Sequence, residues 1–105
     1  MSRTILPLYK TGAFQNRLRE AADFYDETAG LEVADRFLSV VDVALSKIAK
    51  NPYSAPRYIP PNGFEALEKL NYRELNMSGF SPFPYTIYYE IERDRIVIQS
   101  IYHHS

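Results

Sequence analysis

The sequence predicts an α+β domain, in which an antiparallel helical hairpin covers one face of an antiparallel sheet. Two patterns predict it: apolar residues recur every three or four positions through the middle of the chain, and every second position from residue 72 onward. The length of 105 residues suits one domain. We therefore predict a short N-terminal strand, a helical hairpin and a three-stranded β-meander in a single domain over residues 1–105.

The composition excludes several classes of protein. A net charge of −1 lacks the positive excess of a basic nucleic-acid binder, so we expect no strong direct nucleic-acid binding. The absence of cysteine excludes disulfide scaffolds and thiolate metal sites. No run approaches the roughly 18 apolar residues of a membrane span, and no signal peptide is visible. We therefore expect no membrane partner, and the absence of cysteine suits a reducing cytoplasm.

The N-terminal half predicts one strand and two helices. Residues 4–9 are expected to form an edge strand, because Pro7 cannot donate to a β-ladder. Residues 13–27 and 31–50 are predicted to be helices, and the short link at Gly30 implies that they are antiparallel. Their apolar stripes are Phe14, Leu18, Ala21, Ala22 and Tyr25 in the first helix, and Ala34, Phe37, Leu38, Val41, Leu45 and Ile48 in the second.

The C-terminal half predicts a loop and three strands. Residues 52–63 contain four prolines and read as a loop, and residues 64–70 predict about one further helical turn. Strands then begin at Tyr72, at Tyr85 and at residue 95. In the second strand, strict alternation places four residues on one face: Tyr85, Ile87, Tyr89 and Ile91. In the third strand it places Ile96, Ile98 and Tyr102 on one face. Val97 and Ile101 are expected on the other face.

The order of these elements resembles the RelE/ParE superfamily of toxins, and four short motifs agree with it. One departure is that no basic tail follows the last motif, which favours the ParE branch. The motifs are Ala34-x-x-Phe37 with Ile48 and Asn51-Pro52, then Tyr72-Arg73-Glu74-Leu75, then Phe83-Pro84-Tyr85-Thr86-Ile87-Tyr88-Tyr89, and finally Ile96-Val97-Ile98 followed by Tyr102-His103.

This resemblance implies the toxin of a type II toxin–antitoxin pair in the bacterial cytoplasm, with a ParD-like antitoxin as partner and DNA gyrase as target. It implies a protein-binding inhibitor rather than an enzyme, with no cofactor and no metal. One alternative is a ribosome-dependent mRNA endoribonuclease of the RelE type. Another is a non-toxic binding module that keeps the fold, because fold does not determine function.

A nuclease would need an acid, a base and cations for the phosphate. Arg73 and His103 are the candidates for that chemistry, with Arg57 and Lys69 as further cations. For Arg73 a structural role is favoured instead, as the cross-strand partner of Glu90 or Glu92.

Aromatic and histidine side chains near the C-terminus are candidates for contacts with a target or antitoxin. Tyr85, Tyr88 and Tyr102 suit a protein interface better than base stacking, because few cations surround them. His103 and His104 should point to opposite faces of the sheet, which favours a histidine that bonds across the sheet over a metal site. Arg73, Tyr85, Tyr88, Tyr102 and His103 are therefore the predicted contact residues.

Overall fold

The computed structural model describes residues 5–56 and 72–104, and it confirms the predicted fold class. The predicted helical turn at 64–70, and the candidates Arg57 and Lys69, lie outside the described residues. The elements are β1 (Leu8–Lys10), α1 (Gly12–Ala29), α2 (Leu31–Lys50), β2 (Tyr72–Asn76), a short 3₁₀ turn (Met77–Gly79), β3 (Tyr85–Ile91) and β4 (Ile96–His103).

The helical hairpin is held by a cap at its start and a glycine at its bend. The Oγ1 atom of Thr11 accepts a hydrogen bond from the N–H of Phe14 at 3.0 Å, which satisfies an otherwise unpaired amide of the first turn of α1. Gly30 separates the helices with φ of 98°, a left-handed conformation that costs glycine little. The chain therefore reverses direction within one residue, and α2 has the predicted bounds.

Within residues 5–56 and 72–104 the sheet has four strands in the order β1-β4-β3-β2. β1 pairs in parallel with the start of β4, so the predicted three-stranded meander gains a fourth strand at its edge. β1 begins at Leu8, so residues 5–7 of the predicted strand lie outside it. Pro7 nevertheless contributes its carbonyl oxygen, which accepts the N–H of Ile96 at 2.9 Å.

A β-bulge in β4 reverses the alternation of its side chains. The pairing with β3 skips Gln99, so Ile98 and Ser100 lie opposite consecutive residues of that strand. Beyond the bulge Ile101 is in the core, whereas Tyr102 lies on the other face and is 43% exposed. The predicted grouping of Tyr102 with Ile98, and of Ile101 on the opposite face, is therefore wrong, because one extra residue shifts a period-two pattern.

The core lies between the hairpin and one face of the sheet. An aromatic cluster joins the two layers at one end: the ring centroid of Phe37 lies 5.0–5.3 Å from those of Tyr25, Phe83 and Tyr85. Neither helix in the described part of the chain is long and apolar enough to cross a membrane. The remaining buried core residues are mainly isoleucines of β3 and β4 and residues on the inner face of α2.

Candidate functional site

An open cavity of about 220 Å³ lies between α1 and the C-terminal end of β4. Three of the predicted contact residues line it, namely Tyr85, Tyr102 and His103. The fourth, Tyr88, touches the rim, because its ring lies 5.6 Å from that of Tyr102 in an edge-on arrangement. The other lining residues are Arg17, Glu20 and Ala21 from α1, and Ile101 from β4.

Arg17 is a site residue that the sequence pattern does not single out. Its Cζ atom lies 4.2 Å from the ring centroid of Tyr102, a cation–π contact between α1 and β4. Glu20 lines the same cavity one helical turn further on. Both are exposed polar positions of an amphipathic helix, so only the docking of α1 beside β4 distinguishes them from its other charged residues.

His103 packs on the phenol of Tyr85. The two rings are 5.1 Å apart and nearly perpendicular, and they are a directly opposed cross-strand pair. Burial, with a smaller contribution from the neighbouring phenol of Tyr25, raises the pKa of Tyr85 to about 12. Tyr85 is therefore a neutral hydroxyl at the inner wall of the cavity at physiological pH, while His103 is exposed at its mouth.

His104 makes the bond across the sheet that the sequence predicts for a terminal histidine. Its Nε2 atom bonds the Oγ1 atom of Thr86, and its backbone N–H donates to the carbonyl oxygen of Pro84 at 2.7 Å. The side chains of His103 and His104 thus lie on different faces of the sheet, as expected. In the described residues no group of three or more His, Asp or Glu side chains is arranged to hold a metal ion.

Arg73 does not form the predicted pair with Glu90 or Glu92. Its Nη1 atom instead donates to the carbonyl oxygens of Ala55 at 2.8 Å and Tyr53 at 3.2 Å. The reason is the register: Arg73 lies opposite Tyr89, on the core-facing side of the sheet, whereas the carboxylates alternate to the other side. Arg73 therefore fastens the turn after α2 to the sheet edge.

The two candidates for nuclease chemistry are far apart. Arg73 pairs with Tyr89 at one end of β3, and His103 pairs with Tyr85 at the other end, on the opposite flank of that strand. Strand geometry puts their Cα atoms about 16 Å apart. They cannot act on one phosphate together without another residue that bridges this distance.

The sheet face turned away from the helices carries carboxylates at its middle. β2 and β3 bring Glu74 and Glu90 to it, between the side chains of Tyr72 and Tyr88. No Lys or Arg of the described strands β2, β3 and β4 alternates to this face. These carboxylates would repel a phosphate backbone at the middle of the face, whereas the guanidinium groups of Arg17 and Arg95 lie over Tyr102 and Tyr9 toward its edge.

Alkaline pH should destabilise the fold through its buried phenols. Burial raises the pKa of Tyr89 to about 12, although the nearby guanidinium of Arg73 partly opposes this. Below pH 10 the phenols of Tyr85 and Tyr89 keep their protons in both the folded and the unfolded chain. Between pH 10 and pH 12 the phenols ionise in the unfolded chain but not in the folded one. We therefore expect the free energy of unfolding to fall as the pH rises from 10 toward 12.

Urea unfolding between pH 8 and pH 12, with tyrosinate absorbance as a second signal, measures this loss. Tyr89→Phe removes the ionisation of Tyr89 and leaves that of Tyr85, so the free energy of unfolding should fall less steeply with pH. An equal decline in Tyr89→Phe would contradict the assignment of part of it to Tyr89.

The fold of the described residues is a helical hairpin packed on one face of a mixed four-stranded sheet. A solved structure described as a chromosomal ParDE toxin–antitoxin system from P. aeruginosa shares it, with a TM-score of 0.75 and 16% identity over 96% of this chain and 98% of that chain. The family model for the ParE toxin of type II toxin–antitoxin systems, parDE, matches residues 9–105. The chain belongs to this ParE toxin family. No curated protein sequence is similar enough to this chain to count as a match.

Proposed function

We propose that this chain is the toxin of a type II pair, that a cognate ParD-like antitoxin neutralises it, and that it acts by inhibiting DNA gyrase. The observation that carries the proposal is the family match over residues 9–105. Gyrase as the target, and neutralisation by direct binding, follow from what the family resemblance implies.

The cavity beside α1 supports a protein target. Its volume of about 220 Å³ lies below the roughly 300–1,000 Å³ usual for small-molecule sites. Its rim presents Arg17, Tyr102 and His103 to solvent, and Arg and Tyr are enriched among residues that dominate protein–protein binding energy. The carboxylates of Glu74 and Glu90 on the outer face of the sheet and the separation of Arg73 from His103 both favour a protein partner over mRNA.

The test is induction of this chain alone in a bacterial culture, followed by gyrase supercoiling assays with the purified protein. We expect growth arrest, inhibition of supercoiling, and relief of both when the product of the neighbouring antitoxin gene is added. Cleavage of transcripts at defined codon positions, with gyrase unaffected, would support the RelE-type nuclease instead. Unimpeded growth with folded protein in the cells would support the non-toxic binding module.

Arg17→Ala should weaken gyrase inhibition about tenfold or more, if the cavity rim contacts the target. Arg19→Ala is the matched control, because Arg19 is exposed on the same helix but lines a different groove, with Lys10 and Leu38. The concentration of protein needed for half-inhibition of supercoiling is the measurement. Equal potency of the two variants would remove the cavity rim from the target interface.

A further inference from the structure

The hydrogen-bonding direction of β4 can be read from its partners. Ile96 N–H donates to Pro7, and the Ile98 carbonyl accepts from the Thr11 N–H at 3.2 Å, so these two residues face β1. Beyond the bulge, His104 N–H donates to Pro84 on the side of β3. Since direction alternates along a strand, Ser100 and Tyr102 also point toward β3. The N–H and C=O groups of residues 101 and 103 therefore point to the other edge.

In the described residues, β1 covers only the first part of this edge of β4. β1 pairs with β4 over three residues, up to Ile98. The hydroxyl of Thr11 then donates to the Gln99 carbonyl at 2.9 Å, and after this the chain turns away into α1. Within residues 5–56 and 72–104, no strand continues the pairing along Ile101 and His103.

The outer sides of β2 and β1 are better protected than the last part of β4. At the β2 edge, Glu74 N–H donates to the carbonyl of Pro56 at 3.0 Å. At the outer edge of β1, Gln15 donates its side-chain amide to the Lys10 carbonyl at 3.0 Å, and β1 is only three residues long. In the described residues, the last part of β4 is therefore the stretch of edge best able to accept a new strand.

We propose that an extended segment of the antitoxin adds to the sheet along Ile101–His103, in line with β1. This inference rests on the proposed function, and it names the surface at which neutralisation occurs. The added strand would hydrogen-bond the outward amides and carbonyls of residues 101 and 103, the usual basis of strand addition.

The lining of the cavity beside this edge predicts the chemistry of one side chain of the added segment. Its floor is apolar, formed by Ala21 and Ile101, which are 8% and 2% exposed. Its rim carries Arg17 and Glu20 from the helix. A large apolar side chain fits this floor, and the Arg17–Tyr102 contact, which is exposed to solvent, gives way to admit it.

Such a strand would also explain how binding silences the toxin. It would cover His103, Tyr102 and Arg17 together, which are the rim residues proposed to contact the target. The antitoxin and the target would then compete for one surface, and the toxin would not need to change its fold.

Amide hydrogen exchange of the isotopically labelled chain tests the strand directly, with the unlabelled product of the neighbouring antitoxin gene as the probe. We expect exchange at the exposed His103 amide to slow by at least about tenfold on complex formation, because a hydrogen-bonded amide exchanges only through opening. Tyr102 and His104 are internal references, since their amides already bond to β3. A complex that leaves the His103 amide unchanged overturns the inference.

Two substitutions at one exposed position separate the backbone from the side chain. His103→Pro removes the outward N–H, whereas His103→Ala keeps it and removes only the imidazole. We expect His103→Pro to weaken antitoxin binding about tenfold and His103→Ala less than about threefold, from the loss of one hydrogen bond. Thermal unfolding of both variants controls for stability.

The outcomes distinguish the two proposals. Equal weakening by both variants means that the imidazole rather than the strand edge is recognised, and it overturns the inference alone. An antitoxin that binds the wild-type chain without protecting His103 does the same. Failure of the antitoxin to bind the wild-type chain at all refutes neutralisation itself, and with it the strand.

Discussion

Replacing Phe37 by alanine is expected to lower the free energy of unfolding by about 3–5 kcal/mol. Phe37 is fully buried, and its ring contacts those of Tyr25, Phe83 and Tyr85. Truncation removes the ring from the junction between the hairpin and the sheet and leaves a cavity that this rigid cluster fills poorly. The loss is a large part of the roughly 5–15 kcal/mol typical of a small domain.

Urea unfolding followed by far-UV circular dichroism measures this loss. Phe24→Ala is the matched control, because Phe24 is on the same hairpin but 56% exposed, and its truncation should cost less than about 1 kcal/mol. A Phe37→Ala variant as stable as Phe24→Ala would show that the aromatic cluster does not hold the two layers together. Since Tyr85 belongs to both the cluster and the cavity, the cavity should loosen along with the core.

Arg73→Ala is expected to destabilise the fold by about 2 kcal/mol, since hydrogen bonds from a charged donor are lost. The guanidinium joins β2 to two carbonyl oxygens of the turn after α2, and its removal takes both hydrogen bonds away. Tyr89 supports the same turn, because its hydroxyl donates to the carbonyl oxygen of Pro52 at 2.6 Å. The two side chains should therefore be energetically coupled.

A double-mutant cycle with Arg73→Ala and Tyr89→Phe, measured by urea unfolding, tests this role. We expect the combined loss to differ from the sum of the single losses, as it does for residues that share a partner. Arg73→Lys should recover only part of the stability, because an ammonium lacks the planar fork of donors. If Arg73→Ala leaves stability unchanged but abolishes antitoxin or gyrase binding, Arg73 is a contact residue, as the sequence also allowed.

The period of the apolar residues was enough to predict the helices. The α2 bounds follow from the spacing of its apolar stripe and from Asn51-Pro52 at its end, which are local properties of the chain. The inward positions of β3 likewise follow from alternation, and Tyr85, Ile87, Tyr89 and Ile91 are all buried.

The bulge at Gln99 marks where local pattern stops being informative. Alternation cannot reveal an inserted residue, so the faces of Ile101 and Tyr102 depended on the register with β3. The separate register of β2 with β3 places Arg73 opposite Tyr89, on the core-facing side, instead of opposite Glu90.

The sequence by itself determined the element order, the fold class and the aromatic and histidine residues that gather at the end of β4. Only the tertiary structure decided that Arg17 and Glu20 join them, that Arg73 lies at the far end of β3, and that part of the β4 edge is left open. The physical reason is one of range. Helix and strand periods arise from neighbours a few residues apart, whereas a cavity between α1 and β4 joins residues more than 80 positions apart, and only packing brings them together.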